Sequence, residues 1–389
     1  MGSNLKRKRE EHEVFLPLQS KLFTAVSDLS ISPTLSNNLN FLRWIAAFLV
    51  VVGHLRSLMF PEYTKLVNPS IFQKIFYFIT GLGHEGVIIF FVISGFLVGG
   101  EFIKMPKINY INFYIKRFSR IYTVFIPALI IGGILDYIGI NYFNSNGYYN
   151  NLHHFSAMDY SVIDRLNLGT FISNLFMMQT SLTETFGSNG PLWSLANEWW
   201  YYMLFPLLYI FFSDNIRIRK LLSMLGILII LFILNSLIIL YFFIWLLGAW
   251  IFYYRKKVYF PFLILISYSI LFFSFVISRI NLFGNSYVHD LCIALSLIFL
   301  INNLSFMDSQ TQYLKKINQF LADFSYSLYL FHFPFIVLFL SIVDTEINRN
   351  YVYVSLLLFL YMYSLALYYV FERNTYRIKS YLLSKIGNV

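Results

Sequence analysis

Arg43 and His54 lie in one apolar segment, residues 41–55, and ten residues separate them. Such a segment is typical of a membrane helix, in which an ionisable side chain is costly and usually functional. At 100° per residue the directions of the two side chains differ by only about 20° around the helix axis, so they share one face. At 1.5 Å per residue they are roughly 16 Å apart along the axis. This spacing suits a long ligand with an anionic end and a reactive end.

These residue types indicate a particular chemistry. A neutral imidazole tolerates a low dielectric and exchanges protons near neutral pH, so His54 is a candidate general base. Arg43 can bind a phosphate through paired hydrogen bonds. Two structural alternatives remain open, because His54 can join two helices by a hydrogen bond and Arg43 can extend to the membrane surface.

Three further charged residues extend the hypothesis. Glu198 lies about 10 Å below the start of an apolar segment that begins near Pro191, so we expect it at a depth similar to that of His54. There it can orient the imidazole, or pair structurally with an arginine. Arg117 and Arg120 share a helix face and can bind phosphates. Arginines that serve only to fix the membrane topology would occur at the same positions.

Composition indicates the class of protein that positions these residues. The 389 residues are 58% hydrophobic and 12% charged, with a mean hydropathy of +0.63, which is typical of a polytopic membrane protein. The only cysteine, Cys292, excludes an internal disulfide. Because a long polar stretch precedes the first apolar segment and no cleavage site follows it, we expect a retained span and not a signal peptide.

Hydropathy predicts an all-α bundle of about ten transmembrane spans and one amphipathic interfacial segment, 70–83. With the N-terminus inside, 22 lysines and arginines fall on inner segments and six on outer ones, so both termini are predicted to be cytoplasmic. This asymmetry explains the net charge of +10 without nucleic acid. The predicted spans lie near 41–60, 84–100, 120–140, 191–212, 221–237, 239–254, 258–278, 287–304, 321–342 and 352–371.

The chain divides into three predicted regions. Residues 1–36 read as a flexible basic cytoplasmic tail, 37–378 as the transmembrane domain and 379–389 as a cytoplasmic C-terminal tail. The longest external loop, about 141–190, is expected to form a lid or to bind a polar acceptor.

Five sequence blocks in order resemble the acyltransferase family 3 membrane enzymes, which acylate sugars of surface polysaccharides and lipopolysaccharide. Any one block is weak evidence, whereas all five in family order, spread over roughly residues 37–378, are specific. The blocks are Arg43 with His54, Gly86-Val-Ile-Ile-Phe-Phe-Val-Ile-Ser-Gly-Phe-Leu97, Lys116-Arg117-Phe-Ser-Arg120, Leu192-Trp-Ser-Leu-Ala-Asn-Glu198-Trp-Trp-Tyr-Tyr202, and Phe324-Ser-Tyr-Ser-Leu-Tyr-Leu-Phe-His332-Phe-Pro334.

The resemblance implies an O-acetyltransferase of a bacterial inner membrane, which transfers acetyl from cytoplasmic acetyl-CoA to a hydroxyl of a cell-surface saccharide or lipid-linked glycan. His54 and Glu198 would be catalytic, and Arg43, Arg117 and Arg120 would bind the donor. No metal site is expected, because His153 and His154 lack partners at ligand spacing. The residues expected to contact the acceptor are His84, Glu85, Trp193, Ser194 and His332.

Some residues depart from the family pattern. Ile88 stands where many relatives carry an acid, and Trp199 and Trp200 stand where others carry a second carboxylate or Gln. Ser94 is expected to hydrogen-bond its own helix backbone, and Gly95 to allow close helix approach. The hydrolase-like domain fused to some relatives is not expected. A transporter or flippase for a glycan or small anion, or a scaffold subunit, remains an alternative, as does an acylated-His54 intermediate.

Overall fold

The computed structural model describes residues 31–104, 109–255, 261–305, 312–343 and 348–386. These residues form helices joined by turns and loops and contain no β-strand, as predicted. The helices are α1 Pro33–Met59, α2 Ile71–Thr80, α3 Gly83–Ser94, α4 Gly100–Lys104, α5 Tyr110–Tyr142, α6 Val162–Arg165, α7 Leu168–Leu175, α8 Trp193–Ser213, α9 Arg217–Ile233, α10 Ser236–Tyr254, α11 Pro261–Arg279, α12 Ser286–Leu304, α13 Gln312–Asp323, α14 Ser325–Ile342, α15 Arg349–Val370 and α16 Thr375–Ile386.

Each predicted span overlaps a helix, although the fifth, 221–237, runs past the end of α9 and the ninth, 321–342, begins inside α13. Residues 258–260 of the seventh lie outside the described ranges. Within the described ranges, eight helical segments are long and apolar enough to cross a membrane. The predicted fourth and fifth spans, α8 and α9, are not among them, since α9 has only 17 residues and α8 contains a polar first half. The chain is therefore a helical membrane protein, whereas the count of ten and the sides of the termini remain predictions.

The bundle has two distinguishable ends. We call the end that carries Lys116, Arg117, Arg120 and Arg373 the basic end, and the opposite end, covered by residues 143–192, the loop end. α1 runs from the basic end to the loop end. It begins where the Ser32 hydroxyl accepts a hydrogen bond from the Leu35 amide and Pro33 occupies the first turn.

α1 continues without a break to Met59, so Arg43 and His54 lie on one helix, as predicted. Helices extend into both predicted tails, whose boundaries remain predictions. Helical structure begins at Pro33, inside the predicted tail 1–36, and residues 1–30 of that tail lie outside the described part of the chain. At the other end α16 reaches Ile386, well into the predicted tail 379–389, whose last three residues are also outside it.

The interfacial segment predicted at 70–83 contains α2. A capping box between Ser70 and Gln73 starts this helix. Its apolar side chains Ile71, Phe72 and Ile75 are exposed, which suits a helix lying at the membrane surface.

α3 packs against α10 with direct backbone contact. An ideal Cβ on Gly95 would lie 1.9 Å from the Trp245 carbonyl oxygen, and one on Gly248 would lie 2.2 Å from the Val92 carbonyl oxygen. The predicted role of Gly95 in close helix approach is confirmed. At this contact the helix widens into a π-helical turn, Gly95–Gly99, before α4 continues it.

The long loop at the loop end is anchored to the bundle by buried polar contacts. Asp136 of α5 accepts hydrogen bonds from the backbone amide and the hydroxyl of Ser188, both at 2.7 Å. Pro334 has no amide hydrogen, so the Leu330 carbonyl lacks its usual helical partner, and the Asn189 side chain donates to it at 2.9 Å. The loop therefore holds the start of α8 against α5 and α14.

We expect Gly95→Ala to destabilise the protein by about 3 kcal/mol, because the added methyl group meets backbone rather than a movable side chain. Thermal unfolding in detergent would measure the change. Gly226→Ala is a matched control on α9, since its methyl group would meet only the end of the Leu207 side chain at 3.3 Å. Equal melting temperatures for the two variants would contradict the proposed backbone contact.

Candidate active site

A cavity of about 620 Å³ opens at the basic end and extends into the bundle. Its wall combines side chains from α1, α3, α5, α8 and α14 with the segment that links α15 to α16. Five predicted site residues line it, namely Arg43, Arg117, Arg120, Ser194 and Glu198. The remaining five predicted residues, His54, His84, Glu85, Trp193 and His332, lie outside its wall.

Arg117 and Arg120 are paired with carboxylates. Arg117 binds Glu101 of α4 at 2.5 Å, and Lys116 binds the same carboxylate. Arg120 binds Glu372 at 2.6 Å. Glu372 is buried and also accepts hydrogen bonds from the amide and the hydroxyl of Ser327. Much of the charge of both arginines is therefore neutralised within the protein.

Arg43 differs from these two arginines. Its side chain lines the cavity and makes no hydrogen bond or ion pair with any residue that the structure describes. Glu198, Glu372 and Asp323 are near enough to influence it electrostatically without touching it. A guanidinium in this position can bind an incoming anion without first breaking an internal pair.

Glu198 ends a directed chain of hydrogen bonds. The Trp245 indole donates to the Ser94 hydroxyl at 3.0 Å, Ser94 contacts the Tyr202 hydroxyl at 3.0 Å, and Tyr202 donates to Glu198. The expectation that Ser94 bonds its own helix backbone is wrong, because two neighbouring helices supply its partners. Glu198 accepts a hydrogen bond from Tyr202, and the structure shows no hydrogen bond or ion pair between Glu198 and His54.

At its inner end the cavity is bounded by Ser194 and Tyr329. Their hydroxyls are 2.7 Å apart, and Tyr329 donates to the Pro191 carbonyl at 2.9 Å. The Tyr329 ring lies 6.1 Å from the ring of His332. Tyr329 therefore borders the cavity and also lies close to His332.

His54 and His332 form a pair. Nδ1 of His54 lies 2.9 Å from Nε2 of His332, and the rings are nearly parallel. His54 is partly accessible to solvent, whereas His332 is fully buried. His332 can therefore influence a substrate only by acting on His54. The sequence predicted Glu198 as the group that orients His54, but the hydrogen-bond partner of His54 in the structure is His332.

A second cluster lies at the loop end. Nε2 of His84 is 3.0 Å from each carboxylate oxygen of Asp290, and the Tyr241 hydroxyl donates to the same carboxylate at 2.9 Å. Asp290 is 1% exposed, whereas the His84 side chain is 43% exposed. The ring of Trp193 lies parallel to His84, and its edge contacts Phe91 of the cavity wall.

Glu85 does not join this cluster. It is 3% exposed, and the Ser278 hydroxyl of α11 donates to its Oε1 at 2.7 Å. Its Oε2 has no hydrogen-bond partner in the described part of the chain.

Sequence reasoning missed the acidic partners Glu101, Glu372 and Asp290. Each is separated from its basic partner by at least 15 residues, so no local spacing marks the pair. One signal was available for Asp290, because a carboxylate in an otherwise apolar predicted span requires a partner.

Residues 36–386 match the acyltransferase family 3 profile, which describes an acyltransferase domain. The match covers most of the chain. The chain belongs to this family. The resemblance predicted from the five sequence blocks is thereby confirmed.

Relatives are similar over shorter stretches. The chain is 28% identical to acyltransferase MdmB of Streptomyces mycarofaciens over 44% of its own length and 38% of that protein. It is 30% identical to an O-acetyl transferase of Shigella phage Sf6, over 43% of this chain and 44% of that protein. It is 32% identical to an uncharacterized protein of Haemophilus influenzae, over 34% of this chain and 52% of that protein. The chain thus spans about half or less of each relative. No solved structure matches it.

We expect Glu372→Gln to lower stability by about 2 kcal/mol, because it removes the charge that pairs with Arg120 and weakens the hydrogen bonds to Ser327. Thermal unfolding in detergent measures the loss. Glu184→Gln is the control, since the Glu184 side chain that pairs with Arg165 is 69% exposed and solvent weakens such a pair. An equal loss in both variants would contradict a special role for Glu372.

Proposed function

We propose that this acyltransferase family 3 protein is an integral membrane O-acyltransferase that moves an acetyl group from acetyl-CoA to a saccharide hydroxyl. The observation that carries the proposal is the guanidinium of Arg43, which lies in the cavity wall and has no hydrogen-bond or ion-pair partner in the described part of the chain. Arg43 is on the same helix as His54 and roughly 16 Å from it. A pantetheine arm has a comparable extended length by chain geometry.

The donor would enter from the basic end. The cavity mouth carries Lys116, Arg373 and Lys379 in addition to the arginines already described. These cations suit the phosphates of a nucleotide, with Arg43 as the deepest phosphate ligand. The excess of lysine and arginine on this side favours a cytoplasmic basic end, which would give access to soluble acetyl-CoA.

The transfer itself needs a base and a group that stabilises the oxyanion. His54 removes the proton from the acceptor hydroxyl as its oxygen attacks the thioester carbonyl. A C–O bond forms, the C–S bond breaks and the proton passes to the leaving thiolate. The Ser194 hydroxyl at the inner end of the cavity can turn from Tyr329 toward the developing oxyanion.

The acceptor would bind at the loop end. His84 offers Nδ1, because its Nε2 is held by Asp290, and Trp193 supplies an aromatic ring beside it. Polar groups that fix hydroxyls next to an aromatic ring suit a saccharide. Trp193 and Ser194 are consecutive, with the former in this cluster and the latter in the donor cavity, which brings the two substrates to adjacent sides of α8.

Membranes that contain the protein and its natural glycans, incubated with radiolabelled acetyl-CoA, test the proposal. We expect label in a membrane saccharide and release of free CoA, and we expect His54→Ala to lower the rate by about 10²–10⁴-fold through loss of the base. Phe48→Leu on the same helix is a folding control. Full labelling by His54→Ala, or transport of acetyl-CoA or glycan without transfer, would contradict the proposal.

Arg43→Gln is expected to raise the KM for acetyl-CoA about tenfold or more with a smaller change in kcat, because it removes a charged hydrogen-bond donor to phosphate. Initial rates over a range of acetyl-CoA concentrations measure the effect. Arg373→Gln, at the mouth of the same cavity, is expected to have a weaker effect. Dephospho-CoA thioesters compared with acetyl-CoA would show which phosphate Arg43 contacts. An unchanged KM in Arg43→Gln contradicts the assignment.

His84→Gln and Asp290→Asn are expected to reduce transfer to the glycan about tenfold while leaving the KM for acetyl-CoA unchanged, since their cluster lies outside the donor cavity. Transfer rates at saturating acetyl-CoA and varied amounts of membrane glycan measure the loss of transfer, and rates at a fixed amount of glycan and varied acetyl-CoA measure the KM for acetyl-CoA. A rise in the KM for acetyl-CoA in either variant would place the cluster in donor binding instead.

A further inference from the structure

We propose that His332 is a positioning residue that fixes the tautomer of His54, with the proton on Nδ1 and a free electron pair on Nε2. The inference about the tautomer stands on hydrogen-bond geometry alone. Its catalytic consequence rests on the proposed function, in which His54 is the base.

His332 is hydrogen-bonded to the backbone of its own helix, α14. Nδ1 of His332 lies 2.8 Å from the Tyr329 carbonyl oxygen and 3.1 Å from the Leu328 carbonyl oxygen. A carbonyl oxygen only accepts hydrogen bonds, so Nδ1 of His332 carries the proton. A neutral imidazole has a single N–H, and Nε2 of His332 is therefore an acceptor.

That acceptor determines the state of His54. Its Nδ1 lies 2.9 Å from Nε2 of His332, and a hydrogen bond at this distance needs a donor. His54 therefore carries its proton on Nδ1. Its Nε2 is left with a free electron pair and has no hydrogen-bond partner among the residues that the structure describes.

Packing keeps the two rings in this arrangement. The rings are 5.2 Å apart with an angle of 8° between their planes, and the Phe333 ring meets His54 edge-on at 5.0 Å. His332 is fully buried, so water does not compete for its Nε2. The Asn189 side chain, bound to the Leu330 carbonyl, ties the same turn of α14 to the loop.

The consequence for transfer follows from where the free electron pair lies. Only an unprotonated nitrogen can accept the hydroxyl proton, and in this tautomer that nitrogen is Nε2. Nε2 is also the ring nitrogen farther from the backbone of α1. When Nε2 takes the proton, Nδ1–H keeps its hydrogen bond to His332, which orients the ring throughout the step. His332 thus has the place that a carboxylate has in a Ser–His–Asp triad.

Nitrogen-15 NMR of the protein with labelled histidine tests the tautomer without an activity assay. The chain has seven histidines, and His54→Gln and His332→Gln identify the two signals by difference. We expect a protonated Nδ1 and an unprotonated Nε2 for both residues. A protonated Nε2 on His54, or two protonated nitrogens on His332, would overturn the inference.

Variants of His332 extend the test. His332→Leu removes the acceptor, so we expect His54 to lose its tautomer preference and kcat to fall about 10²-fold at an unchanged KM for acetyl-CoA. His332→Gln keeps an acceptor and a donor and should recover part of the rate. Phe333→Leu is the packing control and should keep the Nδ1–H signal. A retained Nδ1–H preference in His332→Leu would overturn the positioning role.

The two proposals fail in different ways. If the wild-type protein shows the expected tautomer but transfers no acetyl group, the proposed function is wrong and the positioning of His54 stands. If the protein transfers acetyl and His54 carries its proton on Nε2, the function stands and the role of His332 is wrong.

Discussion

The cost of an unpaired charge in an apolar bundle governs the arrangement of the basic end. Taking a cation out of water is expensive unless a carboxylate compensates it. Arg117 has Glu101 and Arg120 has Glu372, and the second pair joins parts of the chain that are 252 residues apart. The pair of Arg120 with Glu372, and the bonds of Glu372 to Ser327, hold the segment after α15 against α5 and α14. The cavity wall depends on these contacts.

The cost of buried charge also bears on Arg43, which has no ion-pair partner among the described residues. Its guanidinium faces a cavity large enough for water or a ligand, which lowers the cost of leaving it without a carboxylate. A ligand anion can therefore bind directly to a guanidinium that, among the described residues, carboxylates influence only from a distance. The same logic explains why Arg117 and Arg120 are weaker candidates for phosphate binding than their spacing indicates, since an anion must compete with Glu101 and Glu372.

Local periodicity was sufficient to predict the helices and the relation between Arg43 and His54, because both depend on the geometry of one helix. The five sequence blocks were sufficient to predict the family. The partners were not predictable, because Glu372, His332 and Asp290 meet their partners only through packing of distant helices. Ser94 illustrates the limit, since a local rule predicted a backbone hydrogen bond and the tertiary contacts of Tyr202 and Trp245 replaced it.

The histidine pair also follows from the cost of charge. A carboxylate beside His54 would orient the ring but would add a buried charge to the fully enclosed site that His332 occupies. A neutral imidazole accepts the same hydrogen bond without that cost. The anionic groups of the site instead lie in the cavity wall, where Glu372 is compensated by Arg120 and Glu198 accepts a hydrogen bond from Tyr202. Charge would then arise at His54 only while a proton is in transit. In the proposed mechanism, neutral groups at the inner end thus orient the base, whereas Arg43 and the other cations of the cavity wall bind the anionic donor.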